Sequence, residues 1–204
     1  MLRRRSKHKT PEGAGADLVV VGLGNPGAKY EGTRHNVGVA VVHVLAERYG
    51  DRFRKTKELS VVDEVRIASK RVVLALPTTF MNESGQAVGR LVARHHLDDL
   101  AKLVIVHDEL DLPVGRFKVK FDGGLAGHNG LKSIRDHVHT EAFTRVRVGV
   151  GRPSGSQRGA DYVLKRPSKA EQTELEVVFR EAADAVETIL SDGVGAAMTQ
   201  YNAG

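Results

Sequence analysis

The chain contains no cysteine and no tryptophan, and it has no long uninterrupted run of apolar residues. Without cysteine it has neither a disulfide framework nor a thiolate metal site. A membrane-spanning helix needs about 20 apolar residues in succession, so we expect no membrane contact. The 204 residues, 41% of them hydrophobic, can bury a full core, and this length predicts one domain. These properties suit a cytoplasmic protein.

Acidic residues are scarce at the start of the chain, and the net charge of +6 comes largely from that segment. Positive charges before residue 10 lie on Arg3, Arg4, Arg5, Lys7 and Lys9. Without these five, 26 basic residues stand against 25 acidic ones, a net charge of +1. We expect residues 1–17 to form a disordered basic extension and residues 18–204 to form the domain. Any nucleic-acid contact by the domain would therefore need a local basic patch.

Segments with strand and helix patterns alternate along the chain. Apolar and β-branched runs predict strands at 18–22, 60–67, 71–76, 102–107, 116–121 and 144–150. Helical periodicity and capping residues predict helices at 36–49, 84–95, 128–138 and 168–190, followed by a short final helix. Asn36 and Ser84 are the expected N-caps of the first two helices. The sequence thus predicts a single α/β domain with a twisted mixed β-sheet flanked by helices.

The first strand ends in a glycine-rich turn that carries Asn25. Pro26 and Gly27 fit the central positions of a type II turn, which requires positive φ at the second. His35 precedes the next helix. A rigid amide and a histidine at the mouth of one sheet are typical parts of a hydrolytic site.

The same turn offers a weaker alternative, a nucleotide-binding site. Gly22, Gly24 and Gly27 match G-x-G-x-x-G, but that pattern needs a helix at the third glycine and an acidic residue at the end of the second strand. Pro26 occupies a variable position, and Glu47 lies in a predicted helix. Absence of a thermal shift with NAD or ATP would exclude this alternative.

Asparagines stand at the junctions of predicted elements, at positions 25, 82 and 129. Each amide can donate and accept hydrogen bonds without a change of charge, so together they could hold a peptide backbone and steady an oxyanion. Taken singly, an asparagine in a loop is more often a turn residue or a helix cap.

Asp108 closes a buried strand, which is a favoured catalytic position in α/β sheets. Paired with His35 it would fix the tautomer of the imidazole and raise its proton affinity. Glu109 and Asp111 are competing carboxylates, and spacing alone does not choose among the three. Neither the zinc motif H-E-x-x-H nor the serine elbow G-x-S-x-G is present, so the nucleophile would be water.

A glycine-rich stretch at 123–127 precedes a predicted helix and could cradle a phosphate with its N–H groups. Basic residues cluster around it in sequence, namely Lys118, Lys120, Lys132, Arg145 and Arg147. A solvated basic face is the alternative interpretation of this cluster.

Several long motifs, in this order, resemble bacterial peptidyl-tRNA hydrolases. They are Gly22-Leu23-Gly24-Asn25-Pro26-Gly27, Tyr30, Thr33-Arg34-His35-Asn36, Pro77-Thr78-Thr79-Phe80-Met81-Asn82, His107-Asp108-Glu109-Leu110-Asp111-Leu112-Pro113, Gly127-His128-Asn129-Gly130-Leu131-Lys132 and Arg147-Val148-Gly149-Val150-Gly151-Arg152-Pro153. The similarity runs from about residue 18 to the end. The chain departs from the family in its basic extension and at Ala126, where the family usually has glycine.

The resemblance implies a monomeric α/β enzyme, without metal or cofactor, that acts on peptidyl-tRNA. It implies hydrolysis of the ester between the peptide and the tRNA 3′ end, which recycles tRNA from stalled translation. It further implies that His35 is the catalytic base, that Asp108 is its partner, and that Lys120 and Arg147 clamp tRNA phosphates. The substrate site that it implies is formed by Asn25, Tyr30, Phe80, Met81, Asn82, His128 and Asn129. Some relatives with this fold act instead in organellar RNA splicing, and the intact His35, Asp108 and asparagines argue against that alternative.

Overall fold

The structure, a computed structural model, describes residues 15–50, 52–153, 155 and 157–203. Within these residues the strands are β1 Leu18–Gly22, β2 Arg54–Lys55, β3 Ser60–Ile67, β4 Lys70–Pro77, β5 Leu103–Glu109, β6 Phe117–Phe121 and β7 Thr144–Gly149. The helices are α1 Val37–Tyr49, α2 Ser84–Arg94, α3 Asn129–Val138, α4 Gly159–Val163, α5 Lys169–Asp192 and α6 Val194–Asn202. The predicted α/β domain with a mixed sheet is confirmed.

The sheet has a parallel centre and antiparallel flanks, in the order β2-β3-β4-β1-β5-β7-β6. Strands β4, β1, β5 and β7 are parallel neighbours, so their carboxyl ends meet at one edge. The chain leaves β1 for the β4 side and later returns to β5 on the other side of β1. This reversal opens a crevice outside the carboxyl ends of β1 and β5, which is where α/β proteins place their ligands.

Two apolar cores cover the two faces of the sheet. Helices α1 and α5 pack on one face, where Val41 and Val186 meet strand residues such as Val104. Helices α2 and α3 cover the other, where Leu91 and Ile134 meet strand residues of the opposite parity. The strand alternation that carries these side chains to opposite faces follows from the two-residue period of a β-strand.

Gly38, in the first turn of α1, lets the helix lie directly against the sheet. A Cβ atom there would collide with the carbonyl oxygen of Val106 and lie 2.7 Å from the backbone nitrogen of Leu23. Glycine at this position therefore brings the start of α1, and with it His35, to the carboxyl end of β5.

Several boundaries and caps differ from those predicted. β5 continues to Glu109 because pairing with β7 extends that far. The Ser84 hydroxyl donates to the Met81 carbonyl and does not cap α2, so that N-cap prediction was wrong. The Asn36 side chain does not cap α1 either, because it bonds to Asn25.

An amino-terminal extension was predicted for residues 1–17, and residues 1–14 of it lie outside the described residues. Ala16 and Asp17 donate their backbone N–H groups to His95 and Arg71. These two residues therefore pack on the domain, although the predicted boundary placed them in the extension. In the described part of the chain, no helix combines the length and apolarity needed to cross a membrane.

Candidate active site

His35 and Asp108 meet at the carboxyl edge of the sheet. Asp108 is the last residue but one of β5. Its side chain is buried, 3% exposed, and the 3-10 turn Arg34–Asn36 carries His35 to it. His35 Nδ1 lies 2.8 Å from Asp108 Oδ1. Since an ionised carboxylate only accepts hydrogen bonds, Nδ1 carries the proton and Nε2 is left as a free acceptor.

His128 is a second histidine on the same carboxylate oxygen, with Nε2 at 3.0 Å from Asp108 Oδ1. Its Nδ1 accepts the backbone N–H of Leu131 at 3.3 Å. A backbone N–H can only donate, so His128 Nδ1 is unprotonated and Nε2 donates to Asp108. Both imidazoles thus direct an N–H group at one buried anion.

These contacts keep Asp108 ionised. Burial would raise the pKa of Asp108, but attraction to His128 and hydrogen bonds from His128 and His35 outweigh it and hold that pKa well below its ordinary value.

The three candidate carboxylates have different partners in the structure. Glu109 pairs with Arg147 and Asp111 with Arg152, whereas Asp108 is bonded to His35.

The same three side chains are the group among the described residues that could hold a metal ion. One donor atom from each of His35, Asp108 and His128 lies within 4.8 Å of the others. Ligation through His128 Nε2 would require that nitrogen to lose its proton and Nδ1 to gain it, which breaks the bond from Leu131. The hydrogen-bonded tautomer therefore does not fit a metal ligand.

Asn25 is held with one end of its amide towards the cleft. Its Oδ1 accepts the Met81 backbone N–H at 2.9 Å. The Asn36 amide bonds the Asn25 backbone on both sides, accepting from its N–H at 2.9 Å and donating to its carbonyl at 3.0 Å. With Oδ1 occupied, the Nδ2 group of Asn25 remains available as a donor.

A cleft of about 440 Å³ lies above the His35–Asp108 pair. The predicted residues that line it are Asn25, His35, Met81, Asn82, Asp108, His128 and Asn129. The side chains of Asn82 and Asn129 have no hydrogen-bond partner among the described residues, so their amides are free for a ligand. Tyr30 and Phe80 do not line this cleft. Their rings contact each other edge to face, with centroids 6.3 Å apart, and Phe80 is 51% exposed.

The basic residues around the glycine-rich loop differ in their exposure and in their hydrogen-bond partners. Arg147 Nε and Nη2 each lie 3.0 Å from the Glu109 carboxylate, so its charge is largely neutralised. Arg145 is buried and donates to the carbonyls of Asp122, Gly123 and Gly124, which removes it from the predicted set of surface cations. Lys120 is partly exposed and reaches over Gly123.

The sequence patterns missed several residues of the site. Asn36 orients Asn25. The sequence did not reveal this role, because Asn36 was interpreted as a helix N-cap. The residues Gly159, Ala160 and Val163 of α4, called here the α4 wall, line the cleft. The helix has only five residues, and the sequence predicted no element there. His107 is buried, and its ring packs 4.9 Å from that of His128.

A histidine–aspartate pair at the switch point of a parallel-centred α/β sheet suits a hydrolase, because the imidazole can take a proton from water. The family model described as peptidyl-tRNA hydrolase matches residues 19–204. The peptidyl-tRNA hydrolase of Rhodococcus erythropolis is 49% identical over 185 residues, covering 90% of this chain and 97% of that protein. That of Frankia alni is 45% identical, covering 91% of this chain and 93% of its own.

The fold agrees with solved structures of the same group. The crystal structure of peptidyl-tRNA hydrolase from Acinetobacter baumannii superposes with a TM-score of 0.86 at 35% identity, covering 93% of this chain and 96% of that one. The chain therefore belongs to the peptidyl-tRNA hydrolase family, and the predicted enzyme class is confirmed.

Proposed function

We propose that the chain hydrolyses the ester that joins a peptide to the 3′ end of tRNA, using water activated by the His35–Asp108 pair and no metal. The observation that carries this proposal is the 2.8 Å contact between His35 Nδ1 and Asp108 Oδ1. It leaves Nε2 of His35 unprotonated at the cleft. That nitrogen takes a proton from water as the oxygen attacks the ester carbonyl.

Asp108 stabilises the imidazolium that forms at this step. It is already an anion, held so by its two histidine neighbours, and it accepts the His35 Nδ1 proton throughout. The imidazolium then returns its proton to the departing ribose oxygen, which yields the free peptide and the tRNA hydroxyl.

Free amides around the cleft suit the substrate. Asn25 Nδ2 is available to donate to the ester oxygen as negative charge develops there. Asn82 and Asn129 present amides without protein partners, which match the N–H and C=O groups of a peptide backbone. Such pairing with backbone groups would not depend on the side chains of the peptide.

The tRNA would bind along the loop 122–125. Because Arg145 holds three successive carbonyls of this loop, the trans peptide units direct the following N–H groups the opposite way. The N–H of Gly123 already donates to the Asp122 carboxylate at 2.6 Å, so the N–H groups of Gly124 and Leu125, together with Lys120, are the donors left for a phosphate. Arg147 contributes less than the family resemblance implies, because Glu109 neutralises it.

Release of peptide from N-blocked aminoacyl-tRNA tests this proposal. We expect the purified chain to release the peptide at the same rate before and after treatment with a metal chelator, and to act as a monomer in sedimentation. Loss of activity that is restored by a divalent ion would contradict the metal-free mechanism. Binding of tRNA without hydrolysis would favour the RNA-binding alternative. Activity would support a role in recycling tRNA from stalled translation, which we propose takes place in the cytoplasm.

A further inference from the structure

Arg34, the residue before the proposed base, is a buried cation with partners in three parts of the chain. Its side chain is 8% exposed, and Nη2 lies 2.9 Å from each carboxylate oxygen of Glu171. Nη1 donates to the carbonyls of Lys165 at 3.4 Å and Arg166 at 3.1 Å. One guanidinium therefore joins the turn that carries His35 to the start of α5 and to the connection before it.

The guanidinium also contacts α4, the helix that carries the α4 wall. Its central carbon lies 4.1 Å from the ring centroid of Tyr162, a distance that favours a cation–π interaction. Tyr162 in turn donates its hydroxyl to the Val150 carbonyl at 2.9 Å. The backbone N–H of Arg34 bonds to Lys165 at 3.1 Å, which ties the turn to the residues directly after α4.

We infer that Arg34 is a positioning residue that fixes the separation between His35 and the α4 wall. The turn that carries His35 and the helix that carries the α4 wall both contact this one side chain, so their separation depends on it. This inference rests on the proposed function only for its effect on turnover, because the contacts of Arg34 themselves are a feature of the fold. A buried ion pair contributes little net stability, so a geometric role accounts better for its presence.

The chain offers two matched controls that separate positioning from stability. Arg48 also joins α1 to α5, through Asp184 and Glu187 at 2.7 Å, but on the surface and away from the cleft. Ser168 forms the capping box with Glu171, so Ser168→Ala weakens the start of α5 without removing Arg34. Each control perturbs α5 and leaves the contacts of Arg34 in place.

The experiment compares Arg34→Gln and Glu171→Gln with Arg48→Gln and Ser168→Ala in the full chain. Steady-state kinetics with N-blocked aminoacyl-tRNA give kcat and KM, and hydrogen–deuterium exchange reports residues 159–166. We expect Arg34→Gln to lower kcat by about 10²-fold, since a displacement near 1 Å has such an effect, with KM changed by less than about twofold. Exchange at 159–166 should accelerate. The pH dependence of kcat should keep the shape of the parent's, because the His35–Asp108 pair remains.

Glu171→Gln keeps an acceptor for the capping bond and serves if Arg34→Gln fails to fold. We expect it to lower kcat by at least about fivefold and to accelerate the same exchange. Both control variants should keep the parent's kcat and the parent's exchange rate at 159–166. Unchanged kcat or unchanged exchange in the folded variants would overturn the inference, as would equal losses in the controls. If the parent itself released no peptide, the proposed function would fail, and the exchange measurement would still decide whether Arg34 holds the α4 wall.

Discussion

At the scale of single residues, hydrogen bonds within the protein fix the tautomer or the orientation of the side chains that form the site. Asp108 fixes the tautomer of His35, and Leu131 fixes that of His128. Asn36 and Met81 hold Asn25 with its amide donor free. On the proposed function these side chains are already oriented before the substrate binds, and preorganised groups of this kind lower a reaction barrier.

Replacing Asp108 by asparagine should impair hydrolysis severely. An amide cannot stabilise the imidazolium that forms at His35, and its NH₂ group favours the wrong tautomer, so we expect kcat to fall by roughly 10²-fold or more. The matched control is Asp111→Asn, because Asp111 is 48% exposed and pairs with Arg152 on the surface. An inactive Asp111→Asn beside an active Asp108→Asn would show that the wrong carboxylate had been chosen.

Lys120→Ala should weaken binding of full-length substrates without slowing the chemistry. We expect a higher KM, an unchanged kcat and a salt dependence of KM that is flatter by about one counterion. Arg66→Ala removes the same charge near the β3–β4 turn and serves as the control. In the strand order, β3 lies on the other side of the sheet from β6, which carries Lys120. Equal salt slopes for the parent and Lys120→Ala would contradict a phosphate contact at Lys120.

Arg147 is less suitable for this test. Its removal would leave Glu109, 5% exposed, without its ion-pair partner, and such a loss costs about 3–5 kcal/mol when the remaining charge is buried. A defect in Arg147→Ala would therefore combine lost stability with lost binding.

At the scale of elements, close contact between α1 and β5 brings His35 to Asp108. Apolar runs and capping patterns predicted most helices and strands, because each long element has an internal period that its own residues set. The patterns missed β2, with two residues, and α4, since so short a segment shows no period. They also missed the pairings Asn25–Asn36 and Glu109–Arg147, which depend on how distant segments meet. Asp108 remained one of three candidates in the sequence for the same reason.

Gly38→Ala tests the contact between α1 and β5. The added methyl group would meet backbone atoms of Val106 and Leu23, which cannot move aside as a side chain could. We expect unfolding free energy to fall by at least about 1–3 kcal/mol and kcat to fall as His35 moves from Asp108. The measurement is urea unfolding together with turnover.

The control for that substitution is Gly195→Ala in α6, where a Cβ atom has open space. Alanine in a helix is more stable than glycine by up to about 1 kcal/mol, so this variant should match or exceed the parent's stability. A Gly38→Ala protein as stable and active as Gly195→Ala would show that the close approach is unimportant.

At the scale of the whole molecule, the buried histidine under the site links stability to pH. Burial, reinforced by neighbouring His128, lowers the pKa of His107 to about 3, whereas a histidine in an unfolded chain titrates near ~6.5. Between these values the unfolded state binds a proton that the folded state does not, so stability falls as the pH is lowered.

We expect His107 to contribute a loss of about 1.4 kcal/mol for each pH unit below ~6.5. Urea unfolding of the parent and of His107→Asn at pH 7 and pH 5 measures this term. Asparagine can still donate to the Asp108 carbonyl, which His107 Nδ1 contacts at 2.7 Å, but it does not titrate. The stability of His107→Asn should depend less on pH, and parallel curves for the two proteins would exclude His107 as the source.

The most direct test of the mechanism is single-turnover hydrolysis of N-blocked aminoacyl-tRNA by the parent and by His35→Ala. Binding of the same tRNA is measured separately for both proteins. Removal of the proposed base should lower the rate of ester cleavage by roughly 10²–10⁴-fold and leave tRNA affinity almost unchanged, because the role proposed for His35 is to take a proton from water and not to bind a phosphate. A folded His35→Ala variant that cleaves the ester at the parent's rate would contradict the account.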